Sequence, residues 1–165
     1  MKLLIGTLLF SSFCFASIKP NGDICTYNLF RWNAASKKLV GPQKIVKKRS
    51  ELNQIEKGMM GCTVCEEDQV KINLSNGIQF KACKKIAHKV GDVLNSAIAR
   101  GFIIESVEGY LPKMTRGMLD SKQFRTMFSH HAYGEAIDIN RDHNGFHNNC
   151  EKFSRHCRLS LRLKN

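Results

Sequence analysis

Six cysteines standing behind an apolar leader constrain this chain more than any other feature. Met1-Lys2 runs into Leu3-Leu4-Ile5-Gly6-Thr7-Leu8-Leu9-Phe10, and Ser11-Ser12-Phe13-Cys14-Phe15-Ala16 follows, so one positive charge precedes a short apolar run with small residues at Cys14 and Ala16. That is the pattern of a secretory signal peptide cut after Ala16. The run is shorter than the roughly 20 residues of a membrane-spanning helix. Cleavage removes Cys14 from the seven cysteines and leaves Cys25, Cys62, Cys65, Cys83, Cys150 and Cys157. An even set in an exported chain points to disulfides, although spacing alone does not fix the connectivity. Cys150 with Cys157 is a natural local pair, and Cys25 is expected to join one of Cys62, Cys65 or Cys83. The competing reading is a structural zinc site of Cys62, Cys65, Cys83 and His88; export favours disulfides.

Removing the leader leaves 149 of the 165 residues, the size of one domain with a modest core. The leader spans 1–16, a cysteine-containing part of the domain 17–83, and the rest of the core 84–165. The formal net charge of +12 falls to +11 when Lys2 leaves. Behind a signal peptide, such an excess points to anionic envelope polymers or membrane surfaces. No aromatic residues interleave the basic ones as on a single-strand-binding surface, so nucleic acid is not expected as a partner. The location expected is the periplasm, the cell envelope or the medium.

Tyr27-Asn28-Leu29-Phe30-Arg31-Trp32 reads as a strand and Lys44-Ile45-Val46-Lys47-Lys48-Arg49 as a solvated segment. Val70-Lys71-Ile72-Asn73-Leu74 alternates, Ser75-Asn76-Gly77 signals a turn, and Ile78-Gln79-Phe80 resumes the alternation, which predicts a β-hairpin. From Lys84 the period lengthens. Ile86, Val90, Val93, Leu94, Ala97 and Ile98 recur at helical steps and predict one buried face, with Gly101 ending the helix and His88 on its polar flank. Phe102–Val107 is expected as a strand, and Gly109-Tyr110-Leu111-Pro112 breaks it into a loop leading to Lys113, Arg116 and Arg125. The fold class expected is therefore α+β, a small antiparallel sheet with one main helix packed on it, stabilised by disulfides.

The chemistry concentrates in Ser129-His130-His131-Ala132-Tyr133-Gly134-Glu135-Ala136-Ile137-Asp138-Ile139-Asn140. An imidazole nitrogen and a carboxylate oxygen both suit zinc, and a turn at Gly134 lets His131 and Asp138 converge. Asp138 stands between Ile137 and Ile139, so it shares a strand face with small Ala136 and polar Asn140 and leaves room for a ligand. A buried carboxylate costs several kcal/mol unless it is paired or bound to a metal. The alternative is that Asp138 caps a turn or pairs with Arg116 or Arg125. Glu135 is expected in solvent and His130 to point away from His131.

The ordered residues Ser129, His131, Gly134, Ala136 and Asp138 at this spacing resemble the signature of the zinc D-alanyl-D-alanine carboxypeptidases and L-alanyl-D-glutamate peptidases. These are the vancomycin-resistance carboxypeptidase group, to which extensin-like C-terminal domains are close. The resemblance covers about residues 84–158 and includes Gly109-Tyr110 and Arg116. It implies that His131 and Asp138 bind Zn2+, that Arg116 holds the substrate or the developing oxyanion, and that Ser129 supports the site by hydrogen bonding. The reaction implied is zinc-assisted hydrolysis of a peptide bond in the peptidoglycan stem.

Family members add a third histidine on a later strand and an acidic general base shortly before it. This chain offers other residues there: His143 as the substitute ligand, His147 as a second candidate, and Glu151 or Asp142 as the base, with His156 exposed beside Cys157. Because 27 residues follow Asp138, the core is expected to be incomplete at its C-terminal end. The alternative function is a non-catalytic protein on the same fold that binds the cell envelope or peptidoglycan.

Overall fold

The hairpin of β1 (Ile24–Asn33) and β2 (Lys38–Lys48) begins the ordered architecture of a computed structural model that describes residues 22–141. The leader, the expected Cys150–Cys157 pair, Asp142, His143, His147, Glu151 and His156 lie outside the described residues. The two strands pair from Ile24 against Lys48 to Asn33 against Lys38. The expected strand Tyr27–Trp32 falls inside β1. Lys44–Arg49 has no buried residue, as a solvated segment would, and Lys44 to Lys48 also complete β2, because β1 supplies the pairing partner. The β-branched pair Ile45-Val46 favours that choice.

β6 (Lys113–Leu119) lies beside β1 through a short parallel contact, and β7 (Arg125–Phe128) pairs antiparallel with β6, giving the order β2-β1-β6-β7. A second unit is the predicted hairpin, β3 (Gln69–Asn73) and β4 (Gln79–Cys83), with Val70 opposite Ala82 and Gly77 at φ +89° in the turn. A third pairing, β5 (Val107–Glu108) with β8 (Asp138–Ile139), is two residues long. Among the described residues the class is α+β, three small sheets and one main helix, as the periodicities indicate.

That helix, α1 (Ala87–Ala99), lays Ala87, Gly91 and Leu94 on the β3/β4 hairpin, where Ile72, Leu74, Phe80, Ala82, Ile104 and Val107 complete a core cluster. Val90 and Ile98 flank the contact. Val93, expected on the buried face, is 62% exposed. A two-stranded hairpin covers only a narrow stripe of the helix, and Val93 falls beyond its edge. Gly101, at φ +86°, donates its N–H to the Ile98 carbonyl and ends the helix as expected.

The strand expected over Phe102–Val107 shrinks to β5. Asn140 is the reason: its Oδ1 accepts the N–H groups of Glu105 (2.7 Å) and Ser106 (3.2 Å), and its Nδ2 donates to the Ile103 carbonyl (2.8 Å). One amide side chain satisfies backbone groups that would otherwise need a ladder. Ile104 still reaches the core, while Phe102 and Ile103 remain exposed.

Two disulfides close the other half, Cys25–Cys65 and Cys62–Cys83. They consume the thiolates of the alternative zinc site, and His88 is exposed on α1 beside Asp92. Both bonds converge on the 62–65 loop, which also meets the buried Asp68. Arg49 donates two hydrogen bonds to that carboxylate, and Thr63 and Lys84 one each. Burial alone would raise the Asp68 pKa, but these donors outweigh it and hold the carboxyl well below its usual range. Glu56 follows the same logic. Burial opposes its charge, yet Lys47, the Tyr27 hydroxyl and the Asn53 N–H lower its pKa. The Tyr27 phenol is raised in turn by its own burial and by Glu56.

Candidate metal centre

The chain enters the His131 segment from β7. Ser129 precedes a single 3-10 turn, His130–Tyr133, and Gly134 closes it at φ +67°. A side chain at position 134 would meet the Cys83 backbone nitrogen at 2.5 Å, and the Cys83 N–H donates to the Gly134 carbonyl at 2.9 Å. Only glycine combines that φ with so close an approach. The turn is therefore fastened to the end of β4 beside a disulfide.

Beyond Gly134, Ile137 and Ile139 pack against the helix-hairpin core. The alternation of a strand puts Asp138 on the other side, where its side chain is 42% exposed. In the ladder, Val107 opposes Ile139 toward the core and Glu108 opposes Asp138 away from it. The strand thus carries an apolar and a polar face, the arrangement the sequence implied.

His131 Nε2 stands 3.3 Å from Asp138 Oδ2, and His131 Nδ1 is 2.9 Å from the Gly109 carbonyl oxygen. A carbonyl can only accept, so Nδ1 carries a hydrogen and the neutral ring presents its lone pair at Nε2. That lone pair faces a carboxylate oxygen, and two acceptors so close require a cation or a proton between them. A backbone carbonyl on the far ring nitrogen is the usual support of a metal-binding histidine. The imidazole is largely buried and fixed in orientation, since the Leu111 N–H also holds the His131 carbonyl at 2.9 Å.

Gly109 is held just as closely. A Cβ there would collide with the Lys81 carbonyl, and that carbonyl accepts the Tyr110 N–H at 2.8 Å. The Tyr110 hydroxyl donates to the Val64 carbonyl at 2.6 Å. Burial raises the phenol well above its ordinary pKa, with Glu66 and Glu67 adding to the effect, so it remains a donor. β4 and the cystine loop thereby place the carbonyl that orients His131.

The remaining candidates are placed less closely. Arg116 is exposed in β6 opposite Met127 and forms no ion pair with Asp138. Arg125 donates to the Gly117 carbonyl, so neither arginine is the partner of Asp138. Ser129 is buried, but its hydroxyl has no hydrogen-bond partner among the described residues. His130 is largely exposed beside Tyr133 and Glu135. Glu135, expected in solvent, has a side chain only 3% exposed. It accepts the N–H groups of Met59 (3.2 Å) and Met60 (2.8 Å), tying the 58–61 turn to the histidine turn.

Among the described residues, no third histidine, cysteine, aspartate or glutamate joins His131 and Asp138 in a compact three-ligand cluster. The one compact group of that kind, Cys25, Cys65 and Glu67, has both sulfurs in a disulfide. Sequence reasoning missed Gly109, Asn140 and Glu108. Gly109 was legible as a strand breaker, whereas its carbonyl's task depends on a contact 22 residues away.

No protein-family model matches this chain, and no curated protein and no solved structure matches it.

Proposed function

We propose that the protein is an exported zinc metallopeptidase-like hydrolase acting on peptide bonds in the peptidoglycan stem, of the D-Ala-D-Ala carboxypeptidase type. The observation that carries the reading is the His131–Asp138 pair, with Nδ1 anchored on Gly109 and Nε2 turned to the carboxylate. The two side chains fit zinc in donor type, and His143 is the residue proposed to add to them. Zinc supplies Lewis acidity toward a scissile carbonyl and a readily deprotonated water. His131 and Asp138 would hold and orient the metal, while exposed Arg116 attracts the anionic end of a stem peptide and Ser129 supports the turn through its backbone carbonyl, which accepts the Ala132 N–H. Two disulfides suit an oxidising compartment, and no described helix is long and apolar enough to cross a membrane.

The test uses the oxidised chain without its leader. Stoichiometric zinc, and release of D-alanine from a D-Ala-D-Ala-ended stem peptide, are expected, with both lost in His131→Ala and Asp138→Ala. A chain that takes up no zinc and releases nothing defeats the proposal.

A second reading is a non-catalytic envelope-binding protein on the same fold. The exposure of Arg116 in β6, with no ion pair to Asp138, favours it, together with the basic balance of the chain. It predicts salt-sensitive sedimentation with peptidoglycan that His131→Ala and Asp138→Ala leave unchanged.

A further inference from the structure

We infer that Glu108 contributes a carboxylate ligand to the metal at His131 and Asp138, an inference that rests on the zinc reading above. In the ladder of β5 and β8, Glu108 is directly opposite Asp138. Directly opposed residues of an antiparallel pair project from the same face, with Cβ atoms about 5 Å apart. Val107 and Ile139, the neighbouring opposed pair, both turn into the core, which fixes Glu108 and Asp138 on the outward face. The residue after Glu108 is Gly109, whose carbonyl orients His131. Glu108, the last residue of β5, and Gly109, the first residue after it, thus serve the two halves of the pair, Gly109 through the imidazole and Glu108 beside the carboxylate.

Glu108 is presently engaged by Arg141, with Nη1 at 2.8 Å from Oε2. Both side chains are about half exposed, so this bond is weak and exchangeable. In this rotamer Glu108 does not complete a compact cluster with His131 and Asp138. A divalent cation between Nε2 and Oδ2 is a stronger attractor for the Glu108 carboxylate than a solvated guanidinium. Binding therefore draws Glu108 from Arg141 toward the cation, and Arg141 competes with the metal for one carboxylate. Glu108 would stand as the third ligand in place of His143, and histidine with two carboxylates is a donor set that zinc accepts with a fourth position open.

Metal affinity measures this without any turnover. Zinc competition against a chromophoric chelator, and the visible absorption of the Co2+-substituted chain, are recorded for wild type, Glu108→Gln and Arg141→Gln, with far-UV circular dichroism as the folding control. Glu108→Gln is expected to weaken zinc by about tenfold or more and to alter the Co2+ bands, while Arg141→Gln tightens zinc by removing the competitor. Wild-type affinity within about twofold in Glu108→Gln, with unchanged Co2+ bands, overturns the assignment and leaves the zinc reading standing. Failure of the wild-type chain to bind either metal overturns both.

Discussion

Two regions of this small molecule are secured by opposite means. Around the 62–65 loop, two disulfides, a buried carboxylate with three donor side chains, and the Glu56–Lys47–Tyr27 network converge within a few residues. Around His131, the securing elements are hydrogen bonds to separate segments, from Leu111 to the His131 carbonyl, from Cys83 to the Gly134 carbonyl, from Met59 and Met60 to Glu135 and from the imidazole to Gly109, with a two-residue ladder and the side chain of Asn140 beyond them. The first region is over-determined, so single losses there are partly shared. The second is held by hydrogen bonds alone, with no covalent or buried ionic tie of its own, and takes part of its geometry from the first, through Cys83 and Lys81. The His131–Asp138 pair thus borrows its orientation from a neighbour.

The largest test breaks the borrowed rigidity. Replacing Cys62 and Cys83 together by alanine should cost about 2–5 kcal/mol in denaturant unfolding, and should weaken zinc uptake although neither residue is a proposed ligand. Next, Asp68→Asn should cost about 3 kcal/mol, because it leaves Arg49 and Lys84 without their shared anion. The pH dependence has the matching sign. A folded carboxyl held below its ordinary pKa contributes fully at neutral pH, and that contribution is lost as pH falls below about 4. Acid titration of wild type and Asp68→Asn should therefore converge at low pH.

A smaller effect is expected from Asn140→Ala, about 1–2 kcal/mol, from the loss of three hydrogen bonds to residues 103–106. Hydrogen exchange should show it as faster exchange at Glu105 and Ser106, with the cystine loop unaffected. Glu135→Gln should be smallest, about 1 kcal/mol, since the amide still offers one acceptor to Met59 and Met60. If Asn140→Ala destabilises the cystine loop as much as its own, the contrast between the two regions fails.

The sequence made legible what depends on local period. The β3/β4 hairpin, α1 with its glycine stop, and the turn joining His131 to Asp138 follow from alternation, helical spacing and Gly134. Contacts between distant segments were not legible. Phe102–Val107 has strand composition, but the Asn140 amide claims its backbone from 34 and 35 residues away. Glu135 looks like a surface glutamate until the turn at 58–61 folds over it. Val93 keeps the helical period and still faces solvent, because nothing in the sequence states how narrow the opposing hairpin is. Of the candidate site, the His131–Asp138 proximity was readable; the carbonyl that sets the imidazole and the glutamate across the ladder were not.

The attachment of Gly134 to Cys83 has a consequence in time. His131 acquires its orientation from β4, and β4 is tethered to the 62–65 loop by the Cys62–Cys83 bond. In a chain whose cysteines are still reduced, β4 lacks that covalent tether. Thiol chemistry in one part of the molecule therefore bears on how firmly the histidine in another is aimed, and the oxidation state of Cys62 and Cys83 is expected to set the readiness of the proposed cation site.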